Sequence, residues 1–244
     1  MRTRRGRTRA AVTAAAAAVL TGPLLAAPAS AAPFLDPGAV CSTPAPPAPV
    51  TDRDRVPALH LPALDCAFAR GITVGRSGPG GVAFNPAAPV PRDQMASFLV
   101  RTLVAAGVDV PAPSGQPFDD IGGNVHADAI RQLAQLGITT GTAQPRRYAP
   151  AQPVTRAQMA SYLVRTANVA FGGDDLAAGA TGAVRFPDVA EGDVHRPAIQ
   201  AAAELLELTQ GRADGTYGPT APTSRAQMVT FVVRLLDLVE EPQP

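Results

Sequence analysis

The chain has 244 residues, 46% of them apolar, with 26 Pro, 22 Gly and no Trp, which suits one well-buried core. All 21 basic residues are Arg, and five of them fall within the first nine positions; without those, 16 bases face 20 acids, a net charge of −4 that argues against nucleic acid or an anionic lipid surface as partner. Beyond the N-terminus no apolar stretch approaches the ~20 residues of a membrane span.

In chain order, Arg2, Arg4, Arg5, Arg7 and Arg9 form a basic region, residues 10–25 are almost wholly apolar, and Ala29-Ser30-Ala31 supplies small residues at a cleavage site. This predicts a secretory signal peptide over 1–31, with Gly22 and Pro23 interrupting a run too short for an anchor. Residues 32–56 are rich in proline and poor in large apolar side chains, which predicts an extended linker or arm. The two cysteines, Cys41 and Cys66, default to a disulfide with each other in a secreted chain. That bond would tie the arm to the first helix.

From residue 57 onward the chain repeats itself. The segments VPRDQMASFLVR (90–101), VTRAQMASYLVR (154–165) and TSRAQMVTFVVR (223–234) align, placing Arg92, Arg156 and Arg225 at spacings of 64 and 69 residues. An aromatic stands eight residues before each Arg (Phe84, Tyr148, Tyr217), with Pro86, Pro150 or Pro219 two residues after it. Upstream, His60, His126 and His195 align, each followed four residues later by Leu64, Ile130 or Ile199, at helical spacing. Gly71 and Gly137 then suit a left-handed helix end, whereas the third copy has Glu207-Leu-Thr-Gln-Gly211, one residue longer. Phe118-Asp-Asp-Ile121 and Phe186-Pro-Asp-Val189 precede the histidine in two copies, and the first copy shows no counterpart.

The pattern predicts repeats over 57–110 (the most degenerate), 116–172 and 184–240, each a short extended lead-in, a helix, a Gly/Pro loop and a second helix. The fold class is mainly all-α. One unit alone cannot bury its apolar face; together they hide Met95, Phe98, Leu99, Met159, Tyr162, Leu163, Met228, Phe231 and Val232, each contributing about 1.5–3 kcal/mol when fully buried.

Within the second helix, Thr155 with Gln158 and Ser224 with Gln227 read as capping boxes; Pro91 lacks the cap. Arg92, Arg156 and Arg225 are different, because a cation at the first helical position opposes the helix dipole. Two explanations stand side by side: an anion site beside exposed helix amides, or an inter-repeat salt bridge to an acid such as Asp120 or Asp188. Arg101, Arg165 and Arg234 read as structural cations in the last turns. The histidines read as packing or hydrogen-bonding groups, with no cofactor or metal expected. No catalytic motif is present, so no enzyme is expected.

These residues resemble the S-layer homology family of bacterial envelope proteins. The third copy is most similar: Gly211-Arg-Ala-Asp-Gly-Thr-Tyr-Gly-Pro219 followed by Ser224-Arg-Ala-Gln227 looks like the family's Gly-x-x-Asp-Gly-Thr-Phe-x-Pro loop and Thr-Arg-Ala-Glu helix start. The resemblance implies one pseudo-threefold, three-pronged bundle that is secreted, associates with the cell wall and binds an anionic wall polysaccharide in grooves between repeats. It assigns ligand contacts to Arg92, Arg156 and Arg225, with Asp214 and Gly215 in the third loop. Gln94, Gln158 and Gln227 depart from the family's Glu and make the local field more positive. The first copy is expected to be the weakest site. A second reading, an envelope protein-interaction subunit without glycan binding, fits the absence of an obvious cargo domain.

Overall fold

In a computed structural model the placement of residue 41 and of residues 45–173 and 175–240 is described; the expected signal peptide and the start of the expected linker lie outside these. The described chain is mainly helical: α1 (Leu61–Ala69), strands β1 (Arg76–Gly78) and β2 (Gly81–Ala83), α2 (Arg92–Ala105), α3 (Ala127–Gln135), α4 (Arg156–Ala170), the single turn α5 (Leu176–Gly179), α6 (Arg196–Glu204) and α7 (Arg225–Glu240). The strands pair antiparallel as a small hairpin, Ser77 opposite Val82. No helix among the described residues is long and apolar enough to cross a membrane.

The starts of the three longest helices follow from their caps. Thr155 accepts the Gln158 amide while the Gln158 side chain takes the Thr155 amide, a complete capping box, and Ser224 and Gln227 do the same at α7. Pro91 has no N–H, so Gln94 has no amide to cap. Its Oε1 instead accepts from Arg225 Nη1 at 2.6 Å. Glycines at φ +68 and +70 follow α1 and α3. After α6, Glu207 is forced to φ +50, the strained solution of the copy lacking that glycine.

Helices α2, α4 and α7 contact one another at the centre, and each carries a shorter helix on its flank: α3 on α2, α6 on α4 and α1 on α7. All nine predicted core residues are buried. The histidines sit at these flanking contacts, with Nδ1 of His126, His195 and His60 lying 2.7, 2.8 and 2.7 Å from Ser97 Oγ, Ser161 Oγ and Thr230 Oγ1. The segments leading into α2, α4 and α7 close a ring: Val90 N–H donates to Thr223 O, Thr223 N–H to Val154 O and Val154 N–H to Val90 O, each at 2.9 Å. The ring places α7, the last described helix, beside the first copy, where it packs on α1.

Thr223 is the odd member of that ring. Val90, Val154 and Thr223 are all fully buried, and the Thr223 hydroxyl has no hydrogen-bond partner among the described residues. A buried unsatisfied hydroxyl costs about 1–3 kcal/mol. Thr223→Val, restoring the residue of the other two copies, is therefore expected to raise stability by about 1–2 kcal/mol in denaturant unfolding; an unchanged or lower midpoint would show that the hydroxyl is not orphaned.

Two expectations are corrected. Residues 45–56 are not a free linker: Ala48, Val50 and Val56 are buried in the core. The segment's prolines restrict the backbone without preventing side-chain burial, and its polar groups find fixed partners. Arg53 pairs with Asp65, which also accepts the Ala48 amide, and Thr51 N–H donates to Val82 O. The Cys41–Cys66 disulfide ties this arm to α1. Second, Arg101, Arg165 and Arg234 lie inside their helices rather than in the last turns, because α2, α4 and α7 continue to Ala105, Ala170 and Glu240. Arg165 and Arg234 donate to the carbonyls of Ile138 and Leu208 in the adjacent loops.

Candidate ligand groove

The site is built from one arrangement used three times. A carboxylate fixes each loop: Asp120 accepts the amides of Tyr148 and Ala149, and Asp188 those of Tyr217 and Gly218. Asp52 accepts those of Phe84 and Asn85. Burial pushes these carboxyls up, but the amides they accept outweigh it and hold all three below the ordinary aspartate value. The aromatic's carbonyl then receives a guanidinium from the preceding copy in the ring. Arg92 Nε donates to Tyr148 O, Arg156 Nε to Tyr217 O and Arg225 Nε to Phe84 O, at 2.7, 2.7 and 2.5 Å.

Each guanidinium also stacks on the ring whose carbonyl it holds, 4.6, 4.8 and 5.0 Å from the centroids of Tyr148, Tyr217 and Phe84. Such cation–π contacts add roughly 0.5–2 kcal/mol each. Tyr148 and Tyr217 return the contact by donating their hydroxyls to Arg92 O and Arg156 O; Phe84 has no hydroxyl to return. Burial pushes Tyr217 up to about 12, so it remains a donor at any physiological pH.

This clasp explains the recurring arginine locally, and it corrects the salt-bridge expectation. Asp120 and Asp188 are spent on backbone amides, and the guanidinium partners are carbonyls. It also separates the three arginines. Arg92 and Arg156 are 5% and 8% exposed, with Arg92 Nη2 further engaged by Gly141 O. Arg225 is half-buried and lines an open groove of about 580 Å³ with Gln94, Phe98, Arg76, Arg101 and His126. Asp214 and Gly215 do not join it. They lie exposed in the loop clasped by Arg156, where the Asp214 carboxylate accepts the amide and hydroxyl of Thr216.

The groove is therefore formed by the first copy's loop, with Arg225 reaching it from the far end of the chain. Sequence reading missed Asp52, Arg76, Arg101 and His126 as parts of this site. The available signal was Val50-Thr51-Asp52, equal in length to Phe118-Asp-Asp120 and Phe186-Pro-Asp188 with Val in place of Phe, and Val50 is buried like Phe118. The missing aromatic and the longest spacing to the histidine, eight residues against six and seven, hid it.

Two of the three copies match a known family. The family model of the S-layer homology domain matches residues 117–160 and 185–229; residues 57–110 lie outside both segments. Over 136 residues the chain is 33% identical to a protein named "Cell surface protein" from Thermoanaerobacter kivui, a match covering 55% of this chain and 17% of that protein. These similarities support a cell-envelope location.

Proposed function

We propose that the chain is a non-catalytic module that attaches to the cell wall by holding an anionic wall polysaccharide in the groove at Arg225. The observation that carries this reading is the composition of the groove wall, which contains three guanidiniums and an imidazole and no carboxylate. In a chain whose acids outnumber its bases once the N-terminal arginines are set aside, that concentration is local and favours an anionic ligand. Residues 57–110, with the arm from 45, form a third, divergent S-layer homology repeat. Its support is that Asp52, Phe84 and Arg225 make the same clasp as the two family-matched segments.

The test is sedimentation of the oxidised protein with purified wall sacculi, intact or stripped of polysaccharide. Retention is expected on intact sacculi and loss on stripped ones, with Arg225→Ala weakening retention roughly tenfold, the size of one lost charge-assisted contact. Equal retention on both preparations would sink the proposal, and circular dichroism of the variant separates misfolding from lost binding.

A further inference from the structure

The three arrangements differ in how their remaining cations are used. In the second and third copies the arginines at the position of Arg101 are engaged, Arg165 with Ile138 O and Arg234 with Leu208 O. The loop arginines there act on carboxylates: Arg147 lies 3.7 Å from Asp120, and the charge of Arg212 helps to hold the Asp188 and Asp214 carboxyls below the ordinary aspartate value. In the first copy neither holds. The guanidiniums of Arg76, on the exposed hairpin, and Arg101, on the exposed face of α2, make no hydrogen bond or ion pair among the described residues, and both line the groove that contains Arg225.

We infer that this groove selects a ligand segment bearing at least two closely spaced anionic groups, one seated at Arg225 and another held at the rim by Arg76 and Arg101. Three like charges around one concavity repel one another when it is empty, and a single anion at the half-buried Arg225 leaves the two exposed guanidiniums without a counterion. A polymer with an acidic group on successive units neutralises base and rim together, and multivalent engagement strengthens binding without further contacts. Phe98 also lines the groove, its buried ring beneath the Arg225 guanidinium at 5.6 Å. This rests on the anionic-polysaccharide reading above and narrows it to multiply charged segments.

The experiment is calorimetric titration of the full oxidised chain with four probes: hexagalacturonate, monomeric galacturonate, a short glycerol-phosphate oligomer and neutral maltohexaose. Either acidic oligomer is expected to bind more tightly than the monomer, with the better one distinguishing a carboxylate from a phosphate source, and maltohexaose is expected not to bind. Arg76→Ala with Arg101→Ala is expected to weaken the oligomer roughly tenfold, as removal of two exposed charge contacts does, to flatten its salt dependence, and to leave the monomer unchanged. Arg146→Ala with Arg185→Ala removes the same charge away from the groove and is expected to have no effect. Equal weakening by both pairs, or monomer and oligomers binding alike, would overturn the inference. If Arg225-dependent retention on sacculi persists in that case, the wall-binding proposal stands without it.

Discussion

Asp52→Ala is expected to lower folding stability by about 2–4 kcal/mol and to weaken wall retention, although Asp52 does not line the groove. Its carboxylate accepts the Phe84 and Asn85 amides at 2.8 and 2.7 Å, and hydrogen bonds to a charged group contribute about 1.5–3 kcal/mol each in context. Those amides flank the carbonyl that Arg225 grips, so the substitution frees the loop that carries one wall of the groove. The arm bearing Asp52 is also held by the Arg53–Asp65 pair and the Cys41–Cys66 bridge; a disulfide closing a loop of this length contributes about 3 kcal/mol by restricting the unfolded chain.

The pH dependence distinguishes the cause. Burial pushes the Asp52 carboxyl up, and the Phe84, Asn85 and Asp52 amides with Arg55 nearby pull it further down, leaving it below 3.8. A carboxyl depressed by folding stabilises the protein above its unfolded value, and that contribution is lost as pH falls through the folded value. Wild type and Asp52→Ala are therefore expected to differ fully at neutral pH and to converge on acidification below 3.8. Urea unfolding at neutral and acid pH checks this; a difference that persists unchanged in acid would assign the loss to packing, not to the carboxylate.

The same residue shows what could be read from the sequence and what could not. Local chemistry was legible: Thr155 with Gln158 starts α4 as a capping box, and the apolar positions at helical spacing, Met159, Tyr162 and Leu163, are buried. The recurrence of Arg156 marked a position that local helix physics does not explain. What escaped was the partner, because partners follow the ring and not the chain. Arg225 stands eight residues after Tyr217, and sequence adjacency joined it to Asp214 and Gly215. The closed ring instead sends it to Phe84, 141 positions away. Gln94 looks like a failed cap beside Pro91, yet losing the cap is what releases its Oε1 for Arg225. Arg101 is indistinguishable in sequence from Arg165 and Arg234; only the unmade bond to its loop separates it.

Gly141→Ala is expected to be among the most damaging single-methyl additions in the chain, costing about 2–5 kcal/mol from backbone strain and overpacking together. Gly141 has φ +89, and a Cβ there would lie 2.5 Å from Phe118 Cε1 and 2.6 Å from Arg147 O. Neither neighbour can give way. Phe118 is buried against Tyr148, ring centroids 5.3 Å apart, and the Arg147 carbonyl accepts the Thr142 amide. Gly141 O also receives Arg92 Nη2, so a shift of this backbone loosens the clasp that joins the first and second copies. Gly137 supplies the control: it has nearly as unusual a backbone, φ +70, with nothing within 4 Å of the added carbon. Gly137→Ala is expected to cost only the left-handed strain, about 1 kcal/mol. If guanidinium unfolding gave the two variants equal losses, crowding against Phe118 would contribute nothing. A larger loss for Gly141→Ala, together with increased proteolytic cleavage between residues 141 and 148, would identify the close approach of loop and lead-in as what holds the second clasp shut.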